Sequence, residues 1–198
     1  MLNRRYRRTG KRGLLLLLGL MLASCASLPP PRHTTNLCSI FTERRDWRTS
    51  AFKAQQRWQA PVPVQMAIIK QESSFVQNAR PPRYRFLGIL PLWRVSSAYG
   101  YGQAKDDTWD WYVSKTGRTE AARDDFADVT DFIGWYMKQS RTLLGISRQD
   151  AYRQYLAYHE GHGGYRRKSH EAKPWLLRVA RRVARTARQY ASQLTACT

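Results

Sequence analysis

The chain has 198 residues, with 34 Lys and Arg against 14 Asp and Glu, a net charge of +20. That length suits one ordinary domain with a tail or two. So large a positive charge points to an anionic partner, and the first segment decides which anions remain possible.

"MLNRRYRRTGKRGLLLLLGLMLASCAS" reads as an export signal. Arg4, Arg5, Arg7, Arg8, Lys11 and Arg12 precede an apolar stretch, Leu14 to Leu22, too short for a comfortable membrane span. It closes on Leu22-Ala23-Ser24-Cys25, which resembles the bacterial lipobox. Residues 1–24 are therefore expected to be a lipoprotein signal peptide, with Cys25 lipidated after cleavage. An ordinary cleaved signal or an uncleaved anchor is the alternative. Removing residues 1–24 takes away six basic residues and no acid, leaving net +14. An exported protein rarely meets nucleic acid, so the expected anions are cell-wall peptide carboxylates and lipid headgroups. Ala26, where Asp would signal retention, resembles the outer-membrane sorting pattern. The expected place is thus the periplasmic face of the outer membrane, taking a Gram-negative source. With Cys25 lipidated, Cys38 and Cys197 are an even pair in an oxidising compartment, and a disulfide between them is expected over two free thiols.

Residues 27–36, "SLPPPRHTTN", have no apolar periodicity and read as a tether. The expected division is a lipid-anchored tether over 25–45 and one mainly α domain over 46–198. A first helix is predicted over about Thr49–Gln59, with Phe52, Gln55 and Trp58 on one side. A second starts near Pro63, where the first amide needs no partner, and ends at Glu72. Residues 80–98 hold three prolines and a glycine in an apolar run, and predict a folded loop or short hairpin lying back on the domain; covering a groove or touching the membrane are the alternatives. Asp106 or Asp107 is placed as the cap of a short helix through Trp109 and Tyr112. Val129, Phe132, Ile133, Tyr136, Ser140 and Leu143 recur at three- and four-residue steps, as a helix requires. Ser147 with Asp150 predicts a capped start for the next helix, which carries Tyr152, Tyr155, Leu156 and His159 and stops at Gly161, Gly163 and Gly164. The last helix is predicted from about Pro174 to Leu194. Its apolar stripe is Leu176, Ala180, Val183, Ala187, Tyr190 and Leu194. Arg178, Arg181, Arg182, Arg185 and Arg188 crowd the other side, either as a solvated face or as a contact for an anionic surface.

Three segments carry the chemistry. "QESSF" (71–75) brings Glu72 to the end of an apolar helix, four residues after Ile68 and so on its face. "SAYGYGQAKDDTW" (97–109) contains Gly100-Tyr101-Gly102-Gln103. "YLAYHEGHGGY" (155–165) contains Ala157-Tyr158-His159-Glu160-Gly161. Their order and helical context resemble the catalytic domain of soluble-type lytic transglycosylases, related to goose-type lysozyme. That family has Glu-Ser at the end of an apolar helix, then Gly-Leu-Met-Gln, then Ala-Tyr-Asn-Ala-Gly. The resemblance spans roughly residues 60 to 180.

The resemblance implies a lysozyme-like helical fold with a glycan groove, and peptidoglycan glycan strands as substrate, with no cofactor and a monomer expected. It implies cleavage of the β-1,4 bond between N-acetylmuramic acid and N-acetylglucosamine, with the muramic 6-hydroxyl closing a 1,6-anhydro ring. Glu72 would be the catalytic acid and then base; burial raises a carboxyl pKa and keeps its proton available. Ser73 and Ser74 would shape the pocket, Gln103 would hydrogen-bond the sugar, and Tyr158 would hydrogen-bond Glu72. The chain departs from the pattern at Tyr101, Gly102, His159 and Glu160, and in a longer gap between Glu72 and Gln103. Tyr101 is suited to stacking on a sugar. His159 and Glu160 add titratable groups near the groove, Glu160 as an assisting carboxylate, a structural residue or a contact for the peptide stem. His159, Glu160, His162 and His170 do not complete a zinc set, since His159 and His162 are three apart with Gly161 between. A water-using muramidase and a non-catalytic wall-binding lipoprotein remain the alternative functions.

Overall fold

The computed structural model describes residues 27–86, 90–94 and 96–197. The expected signal peptide and Cys25 lie outside the described residues. Seven helices and one hairpin are described: α1 Leu37–Glu43, α2 Arg45–Trp58, α3 Val62–Ser73, β1 Arg83–Phe86, β2 Leu90–Arg94, α4 Asp106–Thr116, α5 Phe126–Leu144, α6 Ala151–Arg166 and α7 Pro174–Leu194. The domain is mainly α, as expected, and none of its described helices is long and apolar enough to cross a membrane.

Helix α3 is the axis of the core. Val62, Val64, Gln65, Met66, Ala67, Ile68 and Ile69 are all buried, so it is apolar around most of its circumference, as a helix enclosed by others must be. It packs on α2, α5 and α7. Pro61 and Pro63 sit at its start, where missing amides cost nothing. Its C-terminal turn carries Glu72 out of this core. Ser74 and Phe75 then take left-handed backbone (φ 52° and 64°), which turns the chain sharply and drives Phe75 into the core. There Phe75 stacks on Trp47, and Trp47 lies flat on Phe126 at 3.9 Å between centroids.

Helix α5 is the second wall. Its Asp125 accepts from the Asp128 amide as N-cap. Its buried Asp131 accepts from Trp58 Nε1 (2.8 Å), Tyr112 Oη (2.7 Å) and Arg57 Nη1 (3.2 Å), and pairs with Arg118. One carboxylate thus ties α2, α4 and α5 together, with its charge balanced on the wet side. Gly134 allows α2 this close: a Cβ there would lie 2.7 Å from Trp58 Cδ1.

Several expectations shift. The tether is not a tether along the described residues. Leu37, Ile40 and Phe41 of α1 are core residues, and Asn36 caps α1 by accepting from the Ser39 amide. Leu28 donates to Gln77 and Arg44 to the Pro29 carbonyl, so the proline-rich stretch is laid along the domain. The folded unit therefore includes α1, ahead of the expected start at residue 46. The first predicted helix begins at Arg45, and it is Trp47, Ala51 and Ala54 that face the core, with Phe52 and Trp58 at its margin. Neither Asp106 nor Asp107 caps α4; Lys105 holds that position, and both acids lie in the first turn, where they favour the helix dipole. Asp150 is the cap of α6, accepting from Arg153, and Ser147 lies in the preceding turn. Within the 80–98 stretch, β1 and β2 pair antiparallel, with an irregularity between Arg83 and Arg85. Helix α7 runs over the predicted bounds, burying its predicted stripe except for Leu194, which lies at the margin, and leaving all five arginines exposed.

Cys38 and Cys197 are bonded, with Cα atoms 5.3 Å apart. The bond fastens α1 to the end of α7, where the Leu37 amide already donates to Gln193 and Tyr190 Oη to the Thr34 carbonyl.

Candidate active site

A cleft of about 310 Å³ opens where the end of α3 and the middle of α6 meet the 96–105 segment. Glu72, Gln103, Tyr158, His159 and Glu160 share its wall with Tyr136, Lys105 and Thr108. Five of the predicted site residues, Glu72, Gln103, Tyr158, His159 and Glu160, are thus brought together.

Glu72 is half-buried as a residue, but its Oε1 is sealed from solvent, with no hydrogen-bond partner among the described residues. Ile68 and Ile69, one turn back, are fully buried. Loss of solvation raises the Glu72 pKa to about 7, while the nearby Tyr155 hydroxyl works in the other direction. The carboxyl keeps its proton at neutral pH to a degree that an exposed Glu does not. Burial and the facing Glu72 raise the Tyr155 pKa, so this phenol remains a donor.

Tyr155, rather than the expected Tyr158, is the phenol whose hydroxyl favours the charged form of Glu72. Tyr158 Oη donates instead to the Gly102 carbonyl at 2.5 Å, which locks α6 to the turn carrying Gln103. The same contact accounts for Gly102, since a Cβ there would lie 3.0 Å from the Tyr158 hydroxyl and 3.1 Å from Val129. Tyr155 and Tyr158 are three residues apart on one helix face, and only packing distinguishes which one meets the acid.

The 99–104 turn is fixed by Gly100. Its φ is +76°, and a Cβ would fall 1.8 Å from the Arg123 carbonyl oxygen, so only glycine fits. Gln103 follows in left-handed backbone (φ 49°). Its Nε2 donates to the carbonyls of Ala79 and Gly100, both at 2.9 Å. With the amide hydrogens so engaged, the carbonyl oxygen is the end left to accept from a ligand in the cleft. Tyr101 is not a stacking platform: it is buried, edge-on to Trp47 and Phe126. Ser73 and Ser74 do not reach the cleft either. Their hydroxyls donate back to the carbonyls of Ile69 and Lys70 and finish α3.

Glu160 stands in the cleft wall as a fixed anion. Its side chain is 4% exposed and accepts from Lys173 Nζ (2.8 and 2.9 Å) and from Ser169, with His159 Nδ1 at 3.1 Å. Burial alone would raise its pKa, but the Lys173, Ser169 and His159 contacts outweigh that and hold it at about 2. A group so ionised cannot act as an acid near neutral pH. Its work is to tie the turn after α6 to α6 itself, just before Gly161 breaks the helix (φ 71°, ψ 158°). The folded pKa lies below the usual 4.5, so this cluster stabilises the protein above about pH 4.5 and loses that contribution as pH falls toward about 2. Glu160→Gln is expected to lower the melting temperature at pH 7, with the gap to wild type closing between pH 4.5 and 2. A gap independent of pH in thermal unfolding would contradict an ionised Glu160.

The remaining histidines have local duties. His162 stacks on Tyr136 and meets Ser140 at 3.0 Å; burial, then Arg166, lowers its pKa to about 4 and leaves it neutral. His170 stacks on Tyr165. Sequence reasoning missed Tyr155 as the partner of Glu72. It also missed Trp175, which is 48% exposed and edge-on to His159 at the cleft's end. The signal for Trp175 was a Trp directly after the Pro that opens α7.

Comparison with curated proteins and comparison with solved structures each found no match. A family model described as a transglycosylase SLT domain matches residues 13–197. That match covers nearly the whole sequence, together with the helical fold and the cleft at the end of α3, and the chain belongs to the transglycosylase SLT domain family.

Proposed function

We propose that the protein is a peptidoglycan lytic transglycosylase in which Glu72 is the single acid and base. The family supports action on peptidoglycan in general. One observation carries the finer reading: a carboxyl with a sealed, unpartnered oxygen and a pKa near 7 at the wall of an open cleft. In the first step Glu72 gives its proton to the oxygen linking muramic acid to glucosamine, and the bond to the anomeric carbon breaks. In the second, the Glu72 carboxylate takes the proton of the muramic 6-hydroxyl as that oxygen attacks the same carbon and closes the 1,6-anhydro ring. The proton returns to Glu72 and no water is consumed. A second carboxylate is not required, which fits the commitment of Glu160 to Lys173. Gln103 would accept from the sugar through its free carbonyl oxygen, and Tyr155 would hold Glu72 in place.

The test is incubation of purified peptidoglycan with the mature protein, following soluble glycan fragments. Release supports an enzyme. Binding without release would instead support a wall-binding lipoprotein.

We further propose that the protein works while anchored by lipid on Cys25, on the periplasmic face of the outer membrane. The basic block, apolar core and Cys25 support this reading. Cys25→Ser is expected to move the protein out of the membrane fraction or leave it as precursor, read by fractionation and fatty-acid labelling. Label retained on the Cys25→Ser protein would contradict the anchor.

A further inference from the structure

Residues 80–98 contain four arginines and no acid. Pro81 and Ser96 line the cleft with Glu72; Arg80 directly precedes Pro81, Arg83 follows it by two residues, and Arg94 precedes Ser96 by two. The hairpin register sets Arg83 opposite Arg94. Arg94 Nη1 donates to the Pro81 carbonyl at 3.0 Å, which holds its guanidinium against the cleft wall. Arg80 lies over the Tyr99 ring at 4.1 Å. Among the described residues no ion pair reaches any of the three. Desolvation, then the like charges of Arg83 and Arg80, disfavours the charged form of Arg94. Arg80 lies on the ring of Tyr99, whose hydroxyl donates to Asp124, but cations gathered without a direct ion pair still repel one another, and an anion seated among them relieves that repulsion.

The glycan backbone of peptidoglycan offers few charges, whereas the peptide stems on its muramic residues end in carboxylates. A guanidinium presents a planar fork of donors that matches a carboxylate. We infer that Arg80, Arg83 and Arg94 form a carboxylate-binding rim for the peptide stem of the glycan in the cleft, so that the enzyme favours stem-bearing strands over strands stripped of peptide. This rests on the peptidoglycan reading given above. Spare donors remain for it: the contacts of Arg94 and Arg80 leave most of their N–H groups unused.

The experiment compares two substrates, purified peptidoglycan and the same material after an amidase has removed its stems. The full chain is used as wild type and as the triple variant Arg80→Gln, Arg83→Gln, Arg94→Gln. Wild type is expected to cut stem-bearing glycan with a kcat/KM about tenfold above that for stripped glycan, from three partly screened charge contacts. The triple variant is expected to lose that preference through KM while cutting stripped glycan as wild type does, which also shows that it folds. The preference is expected to shrink as salt rises. An unchanged preference in the triple variant would overturn the inference. So would an unchanged preference with lost binding to vesicles of anionic phospholipid, since the rim would then be a lipid contact. If wild type cuts neither substrate, the cleavage reading falls by itself. Co-sedimentation with stem-bearing glycan then decides the rim: loss in the triple variant supports it, and equal binding overturns it.

Discussion

Glu72→Gln is expected to abolish cleavage while leaving the fold and glycan binding intact. Gln has nearly the shape of Glu, so the end of α3 and the Tyr155 contact survive, but it has no proton to give. Positioned acid–base catalysis contributes about 10²–10⁴-fold, and the proposed mechanism gives both transfers to one residue, so a loss of at least about 10³-fold is predicted. In the wild type the protonated form is the active one in the first step. With the pKa at about 7, kcat/KM should fall as pH rises through 7. The same residue should cost stability. Its folded pKa is raised above the usual 4.5, so its burial is tolerated below about pH 4.5 and is increasingly unfavourable as pH rises through 7. Glu72→Gln should therefore be more stable than wild type above neutral pH, by something on the order of 2 kcal/mol. Lower stability of Glu72→Gln at pH 8, or near-wild-type cleavage, would remove the basis of the proposed mechanism.

Loss of the Cys38–Cys197 bond is expected to be the largest single stability change available without touching the core. The bonded residues are 159 apart in sequence. Closing a loop of that length removes unfolded-chain entropy worth on the order of 5 kcal/mol in the chain-entropy model, with measured effects commonly nearer 2–4 kcal/mol. Because α1 and the end of α7 meet at this bond, the double variant Cys38→Ser, Cys197→Ser should fray there first, and the Leu37–Gln193 hydrogen bond should open. The cleft is built by other elements, so activity at low temperature should persist. Urea unfolding of oxidised, reduced and double-variant protein reads the difference. Two titratable thiols in the native, unreduced domain, or equal midpoints for all three, would show that the bond does not hold the domain.

Much of this architecture is legible in the sequence, and what is not has identifiable causes. Helices α3, α5 and α7 show themselves because their apolar residues recur at helical spacing and their ends carry Pro or Gly. Glu72 shows itself because an acid follows directly on buried isoleucines. Helix α1 was hidden by its length: seven residues after a proline-rich stretch give one turn of pattern, though Leu37, Ile40 and Phe41 have the spacing of a buried face. The roles of Tyr101, Ser73 and Ser74 depend on which way a side chain points after a left-handed residue, and local sequence does not encode that direction. Ser74 is itself left-handed, and Tyr101 turns into the aromatic cluster around Trp47. The exchange between Tyr155 and Tyr158 has the same origin: the helix face is legible, but the neighbour that each ring meets is set by α3 and the 99–104 turn. The nearness of Glu160 to the cleft is legible in the sequence, but its partner Lys173, thirteen residues on, which fixes its charge, is not.

In the proposed mechanism Glu72 directs the muramic 6-hydroxyl, rather than water, onto the anomeric carbon. Mass analysis of the fragments released from purified peptidoglycan reads this directly. An anhydro end is lighter than a reducing end by one water. Fragments ending in 1,6-anhydromuramic acid are expected from wild type and are expected to be absent with Glu72→Gln. Fragments ending in reducing muramic acid would contradict that mechanism and make the protein a hydrolase.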